Sequence, residues 1–103
     1  MAYELVITQK AEQDLHEIVG YIVNELCNTP AAIRFLDEIE KRYGLLTENP
    51  HLYSECQQPL LKVAHYRKIV IGGYLMIYRV DSGRNAVIVE RYFSDLEDYH
   101  EKL

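Results

Sequence analysis

The run from Tyr66 to Val80, YRKIVIGGYLMIYRV, constrains the fold more than any other part of the chain. Two segments rich in Ile, Val, Leu and Tyr flank Gly72-Gly73, and such residues favour strands. Paired glycines supply the positive φ that a two-residue hairpin turn demands, so the run predicts a β-hairpin. Asp81-Ser82-Gly83-Arg84 then turns the chain into a third strand from about Asn85 to Phe93.

The remainder is organised around this meander. Tyr3 to Thr8 alternates Tyr3, Leu5 and Ile7 with Glu4, Val6 and Thr8, the period of a short first strand. Thr8 can cap a helix in which Ala11, Leu15, Ile18, Val19, Ile22, Val23 and Leu26 recur every three or four residues. Cys27-Asn28 ends it, and Thr29-Pro30 starts a second helix with the stripe Ala32, Leu36, Ile39, Tyr43 and Leu46, stopped at Asn49-Pro50. Residues 51–64 show no period and are expected to form a connecting loop. Ser94-Asp95-Leu96-Glu97 has capping-box spacing and predicts a short C-terminal helix. The order is βααβββ(α), which places an antiparallel sheet on a two-helix hairpin: the α+β class, in a single domain spanning 1–103.

Composition narrows the function classes. At 103 residues, with 49% hydrophobic and 26% charged residues, the chain suits one globular domain and neither a disordered tail nor a membrane span. Its beginning lacks the basic and apolar regions of a signal peptide, so a cytoplasmic protein is expected. Cys27 and Cys56 form no CxxC, which signals neither a disulfide framework nor a zinc site. The net charge of -5 argues against nonspecific nucleic-acid binding, which relies on many phosphate-neutralising cations. The distribution is uneven, however. Residues 61–91 hold six basic and two acidic groups, whereas residues 1–52 hold four and nine.

Few residues carry an independent chemical signal. Asp37 with Lys41 and Glu38 with Arg42 stand four apart with the acid first, the arrangement of a solvated helix face. His16, His51 and His100 have no nucleophile at a defining spacing, and His65 adjoins the basic strand as a conceivable general base. No GxGxxG, GxxxxGK[ST], HExxH or GxSxG pattern occurs, so no cofactor is implied.

The ordered set "TxxAxxDLxxIxxYI" from Thr8, "ENP" from Glu48 and "GxYxxxYRVD" from Gly72 resembles the RelE/ParE toxin superfamily over nearly the whole chain. The resemblance implies the toxic half of a bacterial type II toxin–antitoxin pair, an addiction module of the kind that stabilises plasmids. It also implies a cognate antitoxin that wraps the toxin. Some members cut mRNA in the ribosomal A site without a metal, and others poison DNA gyrase. The nuclease members commonly have arginine directly after the "GY" of the second meander strand, where this chain has Leu75. Their "HGRRD"-like run aligns with Ser94 to Asp98, and only Asp98 matches. Metal-free cleavage needs cations against the charge that builds on the phosphate. The resemblance therefore leans to the ParE-like, gyrase-directed or non-nuclease branch. A ribosome-dependent mRNA endonuclease and a decayed fold that only binds protein are the alternatives.

Strand parity separates the basic residues of the meander. With Gly72-Gly73 as the loop, Ile71 faces Tyr74, Lys68 faces Ile77 and Tyr66 faces Arg79, and paired residues share a face. Ile69, Ile71, Met76, Tyr78 and Val80, continued by Val87, Val89, Arg91 and Phe93, then form the side that meets the helices. Arg67 and Arg91 read as structural, with Asp14 or Glu17 as the mate of Arg91. The opposite face collects Tyr66, Lys68, Leu75, Arg79, Glu90 and Tyr92. It is the candidate active face, with Lys68 and Arg79 as anion ligands and Tyr66 and Tyr92 as stacking or proton-transfer groups.

Overall fold

The computed structural model describes residues 3–53 and 65–94. Strand β1 (Glu4–Ile7) leads into helix α1 (Gln9–Gly20), which continues as a π-helical turn (Tyr21–Glu25) before helix α2 (Thr29–Glu48). Strands β2 (Arg67–Ile71), β3 (Tyr74–Asp81) and β4 (Ala86–Ser94) follow. The α+β class and the helical hairpin are as expected from the sequence. The expected C-terminal helix, Lys62, Cys56 and most of the connecting loop lie outside the described residues. Among the described residues, no helix is long and apolar enough to cross a membrane.

Local chemistry sets the helix ends. Thr8 caps α1, its Oγ1 accepting the Ala11 N–H at 3.1 Å. At the far end the Leu26 N–H reaches the Tyr21 carbonyl, five residues back, and Cys27 leaves the helix with φ 51°. The wider π turn slows the rotation of the apolar stripe. Ile22 is thereby buried, whereas Leu26, expected on the same stripe, is exposed. Asn28, rather than Thr29, caps α2 through Oδ1 and the Ala31 N–H, with Pro30 in the first turn where its missing donor is harmless. On α2 the interior takes Phe35 instead of Leu36, because the ring reaches Tyr74 with centroids 5.1 Å apart.

The strands form one sheet in the order β1-β4-β3-β2. The meander pairs are antiparallel, but β1 runs parallel to β4, so the sheet is mixed at one edge and not antiparallel throughout. A strand separated from the meander by two helices can run either way, and its apolar pattern carries no direction. Both helices cover one face. Ala11, Ile22, Ala32, Phe35, Ile39 and Leu46 pack there against Ile69, Ile71, Met76, Tyr78, Val87 and Val89. Each large aliphatic side chain so buried contributes about 1.5–3 kcal/mol relative to exposure. A second, smaller cluster of Leu75, Ile77 and Phe93, with Tyr66 against it, occupies the opposite face.

The hairpin register agrees with the parity argument: Ile71 pairs with Tyr74, Val70 with Leu75 and Lys68 with Ile77. Between β3 and β4 the register shifts. Val80 pairs with Val87 and Tyr78 with Val89, yet Ile77 pairs with Arg91 and Met76 with Tyr92. Glu90 is the extra residue of a β-bulge, a device that places two consecutive residues opposite one. The bulge inverts the facing of everything beyond it. Tyr92 moves to the helix-covered face with Met76, while Arg91 and Phe93 move to the open face, the reverse of expectation for all three.

Candidate functional site

The open sheet face brings together three of the four residues singled out from the sequence. Lys68 lies on β2 opposite Ile77, Arg79 on β3 opposite Ile88, and Tyr66 packs on the Leu75, Ile77 and Phe93 cluster. The fourth, Tyr92, is not there. It is 2% exposed in the main core, where its hydroxyl hydrogen-bonds that of Tyr43. Burial, with the neighbouring Tyr43, drives its pKa far above the ordinary tyrosine value, which makes the buried hydroxyl a poor proton-transfer group near neutral pH. Burial likewise raises Tyr43, although its hydrogen bond with Tyr92 works in the opposite direction.

The bulge also decides which charges meet on this face. Glu90 projects towards Arg79, with its Oε2 2.6 Å from the arginine Nε. That hydrogen bond, more than the accompanying Coulomb attraction, raises the already high Arg79 pKa. Arg91 is held from the sheet edge by Asp14 of α1, with Nε to Oδ2 at 2.6 Å and a second contact from NH2 to Oδ1 at 3.0 Å. Asp14 was one of the two mates expected for Arg91, although the bulge brings the pair to a different face. The Arg91 guanidinium also lies 4.6 Å from the centroid of the Phe93 ring.

The start of α1 explains why the edge of β4 is secured beyond the reach of β1. The Thr8 N–H donates to the Val89 carbonyl and its Oγ1 donates to the carbonyl of Glu90 at 2.8 Å, while still capping the helix. One and a half turns on, Asp14 accepts the Tyr92 N–H at 3.1 Å. Two side chains of α1 thus satisfy backbone groups that a missing strand would otherwise leave bare. The charged dipeptide Glu90-Arg91 interrupts the apolar run VIVERYF, but the contacts that hold the bulge come from residues distant along the chain.

On the covered side, Arg67 points to Tyr53, its NH1 donating to that residue's carbonyl at 2.5 Å, as a structural role requires. Arg42 donates to the Tyr53 hydroxyl at 2.7 Å and pairs with Glu38 at 3.4 Å. These contacts were not apparent in the sequence, because they join segments distant along the chain. At the hairpin tip, a largely apolar groove of about 340 Å³ separates the helices from the β2–β3 turn. Ile22, Leu26, Phe35, Ile71 and Tyr74 line it, with Arg34 and Glu38 also bordering it.

Solved structures share this architecture. The chromosomal ParDE toxin–antitoxin system of P. aeruginosa superposes with a TM-score of 0.68 at 18% identity, over 90% of this chain and 96% of that one. The RelBE2 toxin–antitoxin complex of Mycobacterium tuberculosis gives 0.59 at 21% identity, over 91% and 99%. The intact RelBE toxin–antitoxin complex of E. coli gives 0.60 at 20% identity, over 90% and 96%. At these identities the likeness is one of fold. No curated protein matches the sequence. The family model for the ParE toxin of the parDE type II toxin–antitoxin system matches residues 5–99, and the chain belongs to that family, within the RelE/ParE toxin superfamily.

Proposed function

We propose that this toxin belongs to the gyrase-directed, non-nuclease branch and is neutralised by a cognate antitoxin. The observation that carries the reading is the pairing of the arginines on the open face. Arg79 is held by Glu90 and Arg91 by Asp14, and the position after the "GY" is the buried Leu75. Metal-free RNA cleavage requires cationic groups poised towards the charge developing on the phosphate. Guanidiniums already engaged by carboxylates are poorly placed for that task. Lys68 and the Arg79–Glu90 pair instead form a patch of mixed charge around an apolar centre, suited to a complementary protein surface.

The antitoxin reading draws on the solved relatives, which are toxin–antitoxin complexes, and on the apolar groove at the hairpin tip. In an acidic toxin, apolar contact with a few charged groups at the rim carries the association better than bulk charge does. Affinity that collapses between low and ~0.5 M salt would contradict this.

Two assays test the target. Purified toxin is expected to inhibit supercoiling by gyrase, and to leave mRNA intact in cell-free translation followed by primer extension. Cuts at A-site codons would overturn the reading in favour of the ribosome-dependent endonuclease. Induction of the isolated chain is expected to arrest growth, with rescue by the neighbouring antitoxin gene. Normal growth would point to a fold that retains only protein binding.

A further inference from the structure

We propose that Glu90 is a built-in counter-ion that keeps polyanions off the open face, so that removing this one carboxylate turns the face into a surface for single-stranded nucleic acid. The inference rests on the non-nuclease reading and deepens it by assigning the exclusion of RNA to one side chain.

The face has the ingredients of a single-strand site. Tyr66 offers a ring on which a base can stack, and Lys68 and Arg79 lie on the same side of the adjacent strands. The segment that supplies them is the basic part of an otherwise acidic chain. What opposes binding is local. The Glu90 carboxylate occupies the Arg79 Nε at 2.6 Å, and its side chain is only 20% exposed, so it sits within the face rather than swinging through solvent. An incoming phosphate that approaches Arg79 must come close to a fixed negative charge, well inside the screening length of about 10 Å.

Glu90 reaches this position only because of the bulge. In a regular strand one of two consecutive residues faces the helices, whereas here Glu90 and Arg91 both turn to the open side. Asp14, the carboxylate on Arg91, also holds the Tyr92 N–H and so belongs to the scaffold. The Glu90 side chain has a narrower task. The bond from Thr8 goes to the Glu90 backbone carbonyl and survives any side-chain replacement.

Fluorescence anisotropy with a labelled single-stranded RNA of about 16 nucleotides, the upper range of single-strand site sizes, provides the test. Glu90→Gln and Glu90→Ala are each expected to bind at least about tenfold more tightly than wild type at low salt, as one charge-assisted contact warrants. The slope of log affinity against log salt is expected to steepen by about 0.7 for the phosphate gained. Adding Arg79→Gln to Glu90→Gln returns the affinity to the wild-type level. Arg79→Gln alone, which leaves the Glu90 carboxylate on the face without its cation, binds RNA no more tightly than wild type. Folded Glu90 variants that bind no better than wild type, or a gain of RNA affinity in Arg79→Gln alone, would overturn the inference. Supercoiling inhibition on the same samples separates the two readings. Unchanged RNA affinity with intact gyrase inhibition defeats the counter-ion alone, whereas mRNA cutting by wild type defeats the non-nuclease reading.

Discussion

The two faces of the sheet are built from the same four strands, yet they solve opposite problems. The helix-covered face buries apolar side chains of both layers, and within it Tyr43 is tied to Tyr92, and Tyr78 to the Pro50 carbonyl at 3.2 Å. The open face has a small apolar centre, Leu75, Ile77 and Phe93, bordered by charged side chains including the Arg79–Glu90 and Arg91–Asp14 pairs. The difference originates in β4. Before Glu90 its residues alternate as the sequence pattern dictates, and after it the alternation restarts one residue out of phase. One extra residue in one strand therefore decides which chemistry is presented and which is buried.

If both apolar clusters are true interior, truncation should be costly on either side. Ile77→Ala on the open face and Ile69→Ala on the covered face remove side chains that are 0% and 2% exposed, and each should cost about 2–5 kcal/mol in urea denaturation. An Ile77→Ala loss below about 1 kcal/mol would mean that the open face has no core of its own.

Asp14→Ala tests the anchoring of β4 beyond the bulge. Its partner Arg91 is 18% exposed, so solvent softens the loss of the ion pair, but the Tyr92 N–H loses its acceptor as well. A loss of about 2 kcal/mol is expected. The double variant with Arg91→Ala should be less destabilised than the two single losses combined, because both single changes break the same ion pair.

The tyrosines of the covered face predict an alkaline limit to stability. Burial pushes Tyr78 up to about 12, against an opposing pull from Arg67, and also raises Tyr43 and Tyr92 above the ordinary value near 10. The folded state holds these protons more tightly than the unfolded state does. Their contribution is complete below pH 10 and declines as pH rises towards 12. Stability measured across that window should fall, and Tyr78→Phe should flatten the fall while costing about 1 kcal/mol at neutral pH for the lost hydrogen bond.

The smallest effects belong to the rim of the open face. Arg79→Ala breaks a pair whose arginine is 39% exposed, and with Lys68→Ala it should shift stability by no more than about 0.5 kcal/mol each. Their expected effect is on toxicity. If the double variant remains fully toxic, the target contact lies elsewhere on the molecule.

The sequence by itself determined the two helices and four strands from β1 to β4, the hairpin register and the covered side of β2 and β3, because strand parity and helical period are local and the Gly72-Gly73 turn locks the pairing. It also named Asp14 or Glu17 as a mate for Arg91 on the simple ground that a charge near a core needs one, and the structure pairs it with Asp14. Tertiary structure alone decided the rest. The π turn and the contact with Tyr74 rotated Leu26 and Leu36 outward, and β1 entered parallel to β4, a direction that no apolar pattern records. The bulge depends on Thr8 and Asp14, 82 and 78 positions from the residues whose backbone they hold. A parity count along β4 has no access to such partners, so Tyr92 was counted to the face from which it turns away.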